Sequence, residues 1–290
     1  MELLGRSTAL PKLAAVLSVA LAVALALAPP PAPAAGAAGA AAGAALAATP
    51  GSVVRWAGPG LVSCSMAGRE WAPLDGACWY PLDLERTGSV ELVRRSAGGV
   101  ASRRVAIAAY PWPTQRLEVE ERYVAPSAAE LARIAREKER VGRLWSLATP
   151  RRFTLPLAAP LDTLPPASRF GARRIFNGEP RSPHSGADFA AAPGTLVRAA
   201  AAGRVVLAEE QFFAGRAVFL DHGDGLISMS FHLDTIAVAE GDEVARGQTL
   251  GTVGATGRVT GPHLHFALRW RGARVDPEIL LGRGAPVEIR

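Results

Sequence analysis

Histidine and cysteine are scarce in this chain of 290 residues, with five of the first and two of the second. Two cysteines exclude a disulfide-dense scaffold, and two thiols cannot complete a zinc site alone. Cys64 and Cys78 can form one bridge in an oxidising compartment; the other reading is two buried, unpaired thiols. The chain has no block of arginines and no recognised nucleic-acid-binding motif, so nucleic acid is excluded as a partner. A net charge of +6 instead favours an anionic cell-wall polymer or membrane surface. The uncharged apolar run from Leu13 to Ala28 is shorter than the roughly 20 residues a membrane span needs.

That run follows Arg6 and Lys12. It ends at Pro29-Pro30-Pro31 and is followed by the small-residue site Ala32-Pro33-Ala34. The pattern is that of a secretory signal peptide over residues 1–34, which places the protein outside the cytoplasm, in the periplasm, wall or medium. No cysteine follows directly, which argues against a lipid anchor, and an uncleaved apolar anchor is the minority reading. Residues 35–49 form an Ala/Gly-rich leader or tether.

The rest of the sequence reads as mainly β. Residues 50–122 carry short β-prone runs, among them Val53–Trp56, Ser89–Val93 and Arg104–Ala108, broken by Gly58-Pro59-Gly60 and Gly98-Gly99. They suggest a small β-sandwich-like accessory domain. Ser127-Ala128-Ala129-Glu130 is a capping box, with Leu131, Ile134, Val141 and Leu144 as an apolar stripe behind it. A connecting helix is expected from about Ala128 to Leu147 within a linker of residues 123–149. Residues 150–290 return to strand, at 196–200, 204–208, 217–221 and 226–233, with glycines between them and no long amphipathic helix. Antiparallel sheets with one open face would give a groove for an extended peptide.

All five histidines fall in this last segment, four of them in His184-Ser-Gly-Ala-Asp188, Phe231-His232-Leu233 and His263-Leu264-His265. Imidazoles with one carboxylate suit a zinc ion, which in catalytic sites takes three protein ligands and leaves a position for water. The set is enough for three ligands and two proton-handling groups. Leu264, Phe266 and Leu268 alternate with His263, His265 and Ala267, so both imidazoles share one face of a strand while the apolar side chains enter a core. Each piece alone is weak: a His-x-His pair or a four-residue His–Asp spacing arises readily on a solvated face. Their coincidence in a histidine-poor chain favours a metal site. His222, in Asp-His-Gly-Asp-Gly, reads as a hairpin-end residue.

These motifs resemble the lysostaphin/LytM-type zinc metallo-endopeptidases, over about residues 150 to 285. The stretch from Ser185 to Thr195 matches, as do Gly241-Asp242-Glu243-Val244, Arg246-Gly247-Gln248, Gly254-Ala255-Thr256-Gly257 and Gly261-Pro262-His263-Leu264-His265-Phe266. The resemblance implies an antiparallel β metallopeptidase domain with one Zn2+. Its implied ligands are His184, Asp188 and His265, and its implied catalytic pair is His232 and His263. It implies an exported endopeptidase cutting peptide bonds in peptidoglycan. The alternatives are a non-catalytic or latent regulator of other wall hydrolases, or a peptidase of glycine-rich extracellular chains. Ser230 and Ala267 depart from the Tyr and Glu frequent at those places. An amino-terminal segment can inhibit members of the family, and Asn177 is a candidate blocking group. Arg181 reads as solvated, with a substrate carboxylate as its other prospective partner.

Overall fold

From Ser89 to Leu92 buried and exposed residues alternate, with Val90 and Leu92 inside and Ser89 and Glu91 outside. Period-two burial is what a sheet with one covered face requires. In the computed structural model residues 46–165 and 170–290 are described, so the expected signal peptide and all but the end of the Ala/Gly leader lie outside the described residues. That end is a strand rather than a loose tether: Ala47–Ala48 pairs in parallel with Gly99–Ile107.

The first sheet runs in the spatial order Ala47–Ala48, Gly99–Ile107, Ser89–Ser96, Leu61–Met66, Arg69–Trp71. A second sheet places Val53–Ala57 between Ala77–Pro81 and Val287–Ile289. Val54, Trp56 and Tyr80 from one and Cys64, Leu92 and Val105 from the other fill a shared core. A disulfide between Cys64 and Cys78 joins the two sheets. The strand Val287–Ile289 comes from the chain's far end, and Thr114–Leu117 pairs in parallel with Arg173–Phe176. Boundaries at residues 122 and 150 therefore divide the chain by sequence but not by sheet, because strand pairing at such separations leaves no local signal.

The largest sheet has nine antiparallel strands. Its main path is Ala187–Phe189, Leu264–Trp270, Leu226–Ile236, Gly215–Asp221, Gly203–Gln211 and Glu243–Val244. Leu196–Arg198, Thr249–Val253 and Ala273–Val275 complete it. One face buries Phe189, Val218, Leu220, Leu264, Phe266, Leu268 and Trp270 in the main core. The other face carries a second cluster of Leu207, Phe219, Ile227, Met229 and Ala267.

The helix Ala128–Leu144 packs on that second face through Val141 and Leu144. Its capping box is formed: Ser127 Oγ accepts from Glu130 N, and Glu130 Oε2 accepts from Ser127 N. It ends three residues before the expected Leu147. Trp145 N–H bonds Gly142 O in a tighter turn, and Ser146 Oγ bonds Arg143 O. Glu137 accepts from Phe212 N at 2.9 Å and Arg140 pairs with Glu209 at 2.5 Å, fixing the helix to the sheet. Among the described residues no helix is long and apolar enough to cross a membrane.

Candidate metal centre

Each histidine reaches the site by a different local device. Asp188 and His265 lie directly opposite each other on the paired strands Ala187–Phe189 and Leu264–Trp270. Ala187 and Phe189 go into the core, so Asp188 must face the other way. The expected alternation of the Leu264–Trp270 strand is present: Leu264, Phe266 and Leu268 enter the core, and His265 stacks on Phe231 with ring centroids 5.1 Å apart. His184 sits in the loop before Asp188. Its N–H bonds Ala172 O, and its carbonyl accepts from Gly171 N. Gly186 lies between His184 and Asp188. A Cβ there would meet His265 Nε2 at 2.6 Å and Phe266 O at 2.7 Å, so the close approach needs glycine.

His232 owes its position to a β-bulge. Leu226 and Leu233 both face the main core although their odd separation would put them on opposite sides of a regular strand. The pairing with Gly215–Asp221 slips between Arg216 and Val218, and His232 takes the left-handed conformation, with φ of 64°. Bulges re-aim side chains in this way. Here the imidazole turns toward Thr256, whose carbonyl lies 2.9 Å from Nδ1. His263 precedes its strand, and its Nδ1 is 2.8 Å from Gly261 O. A carbonyl only accepts, so in both rings Nδ1 carries a proton, and the neutral form of each ring has its lone pair at Nε2. The two rings are 5.0 Å apart, and His263 Nε2 is 3.7 Å from Asp188 Oδ1.

His184 Nε2, His265 Nδ1 and Asp188 Oδ1 form a triangle with sides of 2.8 to 2.9 Å. The chemistry of the set identifies what it fits. If both imidazoles donate to the carboxylate, two N–H groups oppose each other across 2.9 Å. Three lone pairs aimed at one point instead suit a cation with nitrogen and oxygen ligands. The protonation states agree. Burial pulls the His184 pKa down to about 4, and the hydrogen bond to Asp188 only partly offsets it. Burial also lowers His265, against Asp188, and lowers His232 well below the ordinary histidine value, with His265 and His263 adding to it. For Asp188 burial pushes upward but is outweighed by hydrogen bonds from His184 and His265, which hold the carboxyl far below the usual range. Neutral imidazoles and an ionised carboxylate are the forms that bind metal.

The residues singled out in the sequence thus converge, with the exception of His222. It is fully buried between Ala202 O and Ser228 Oγ at the hairpin end. Asn177 does not point at the cluster: its amide bridges Val119 N and O at 2.9 and 3.0 Å. Arg181 is held by Val124 O at 2.9 Å. Two groups carried no recognisable signal. Arg174 Nη2 is 3.2 Å from Asp188 Oδ2, leaving Oδ1 to the triangle, and the Thr256 carbonyl orients His232. A groove of about 290 Å³ opens beside the cluster, with Gln115, Leu117 and Val119 forming part of its wall.

Comparison with known proteins agrees with this geometry. The profile of Peptidase family M23 matches residues 182–277, which include all five cluster residues. Peptidoglycan DD-endopeptidase ShyA of Vibrio cholerae is 42% identical over 111 residues, covering 38% of this chain and 26% of that protein. DD-carboxypeptidase/endopeptidase Mpg of Neisseria meningitidis is 43% identical over 94 residues, covering 32% of this chain and 22% of its own length. The matches thus span about a quarter of these curated relatives. A crystal structure of a Pseudomonas aeruginosa protein assigned to peptidase M23 aligns over 81% of this chain and 96% of its own, with 33% identity and a TM-score of 0.62. The chain belongs to peptidase family M23.

Proposed function

We propose that the protein is an exported zinc-dependent endopeptidase that hydrolyses peptide bonds in bacterial peptidoglycan. The observation that carries this reading is the His184–Asp188–His265 triangle with two further imidazoles beside it, each held at Nδ1 by a backbone carbonyl so that Nε2 is left for chemistry. The DD-endopeptidase names of the relatives support the substrate. The disulfide Cys64–Cys78 supports an oxidising compartment outside the cytoplasm, in line with the signal-peptide pattern.

His184, Asp188 and His265 would hold one Zn2+. When bound, zinc supplies Lewis acidity, polarising a carbonyl oxygen and bringing the pKa of water toward neutrality. The protein's own groups do the rest. His232 and His263 take a proton at Nε2 from the attacking water and return one to the leaving amine. The Thr256 and Gly261 carbonyls accept from the Nδ1–H groups, which fixes each ring and stabilises it when it becomes imidazolium. Arg174 holds the outer oxygen of Asp188 and so orients the carboxylate. A non-catalytic regulator would need none of this machinery, and here it is complete.

The test is digestion of purified peptidoglycan by the zinc-loaded protein from about residue 35 onward, with soluble fragments identified by mass spectrometry. New amino and carboxyl ends from cleaved peptides, lost on chelation and in His263→Ala, are expected. Folded, zinc-loaded protein that releases no peptide fragments from any wall type would defeat the reading.

A further inference from the structure

The wall of the groove carries more positive charge than the cluster uses. Arg174, Arg181 and Arg258 lie close enough together that Arg174 and Arg181, after burial, help to pull the Arg258 guanidinium down to a pKa of about 10, still protonated at neutral pH. Arg174 faces Asp188, whose other oxygen belongs to the histidine triangle. Arg181 rests on backbone carbonyls. Arg258 has no carboxylate within ion-pair range among the described residues. Its guanidinium carbon instead sits 4.5 Å from the ring centroids of both Phe176 and Phe213, and its backbone N–H bonds Phe213 O at 2.9 Å.

Two stacked rings hold the guanidinium plane in place, so little side-chain freedom remains to be lost when a ligand arrives. Arginine's fixed fork matches a carboxylate, which lysine's single ammonium does not. Arg258 is also at the reacting centre. Together with Arg174 and His232 it lines both the groove beside Asp188 and His263 and the adjoining cavity beside His184 and His265. A half-buried cation among like charges is unfavourable, and an anion entering the groove relieves it.

We propose that Arg258 is a specificity residue: its guanidinium receives a carboxylate of the peptide substrate and selects acidic peptides over neutral, glycine-only chains. This rests on the reading of the site as a peptidase of peptidoglycan peptides. Arg181 adds attraction at longer range.

The test compares zinc-loaded wild type, Arg258→Lys and Arg258→Met on one peptidoglycan preparation, native and with its peptide carboxylates converted to amides. Amidation alone is expected to raise the wild-type KM about 10- to 100-fold, the effect of losing a charged hydrogen-bonded pair, with kcat little changed. Arg258→Met shows a similar KM loss on native substrate and a much smaller further loss on the amidated one, and Arg258→Lys falls between. The wild-type arm needs no variant, so a folding defect in Arg258→Met leaves the proposal testable. Synthetic peptides amidated only at the C-terminus or only at an internal carboxylate assign which of the two is read, and a loss with either supports the proposal. Equal wild-type KM on native and amidated substrate overturns it, as does an equal penalty of Arg258→Met on both. Cleavage of neither form by the wild type defeats the peptidoglycan reading itself, and the proposal with it.

Discussion

Arg174 and the two imidazoles proposed as catalytic, His232 and His263, separate metal binding from chemistry at the scale of single residues. Arg174→Gln leaves Asp188 Oδ2 without its guanidinium, so the affinity for the proposed zinc is expected to fall about 10- to 100-fold in competition with a chelating dye. An unchanged affinity would show that Arg174 does not orient the carboxylate. His232→Gln and His263→Gln lie outside the donor triangle; each is expected to keep zinc and to lose activity about 10²- to 10⁴-fold. Asp276 tests an electrostatic effect remote from the site. It caps the short helix Pro277–Leu280, accepting from Glu278 N, and burial with the nearby Glu278 charge raises its pKa to about 6 despite that bond. Its folded pKa lies above the unfolded one. Its contribution to stability is therefore full below about pH 4 and lost as pH rises through 6. Asp276→Asn keeps a capping oxygen and removes the charge. At pH 7.5 the variant is expected to gain roughly 2 kcal/mol in denaturant unfolding, with the gain vanishing near pH 4. A gain independent of pH would contradict this assignment.

Among elements, the hairpin Arg173–Phe176 and Glu179–Arg181 links the groove wall to the site. Asn177 and Gly178 both take positive φ at its turn, as a tight two-residue hairpin requires. Asn177 also clamps Val119 through both atoms of its amide. Asn177→Ala is expected to lower stability by about 1–3 kcal/mol and to speed proteolysis near residue 119; unchanged protection would show that the clamp is incidental. Such elements were legible in the sequence to different degrees. The alternation of Leu264 to Leu268 with His265 and Ala267 shows in the sequence and is present in the strand, because it depends only on local period. The capping box at Ser127 and Glu130 was equally local. The bulge at His232 was not readable: nothing in Ser-Phe-His-Leu announces a positive φ, which is imposed by neighbouring strands and by the Thr256 carbonyl. The meeting of Thr114–Leu117 with Arg173–Phe176 was hidden for the same reason, since it is decided across the fold. That pairing, in turn, brings Gln115 and Leu117 to the groove, although the sequence places them with the accessory strands.

Across the whole molecule the sandwich-like sheets and the nine-stranded sheet are locked together by half-buried polar contacts. Arg274 meets Asp83 at 2.6 Å, and Arg271 donates to Trp79 O at 2.7 Å. The described residues accordingly form one compact unit. The disulfide links cysteines at a sequence separation of 14 inside the sandwich. Replacing Cys64 and Cys78 by serine is expected to destabilise the protein by about 2–4 kcal/mol, read from denaturant unfolding; no loss would place the sandwich's stability elsewhere. The central claim, that one zinc ion held by His184, Asp188 and His265 drives hydrolysis, is tested most directly by titration. Metal-free protein is titrated with Zn2+ while soluble peptide fragments from peptidoglycan are followed, alongside Asp188→Ala. Activity should rise to a break at one equivalent in the wild type and stay absent over the same range in Asp188→Ala. Full activity without metal, or an unaltered titration in Asp188→Ala, would contradict the account.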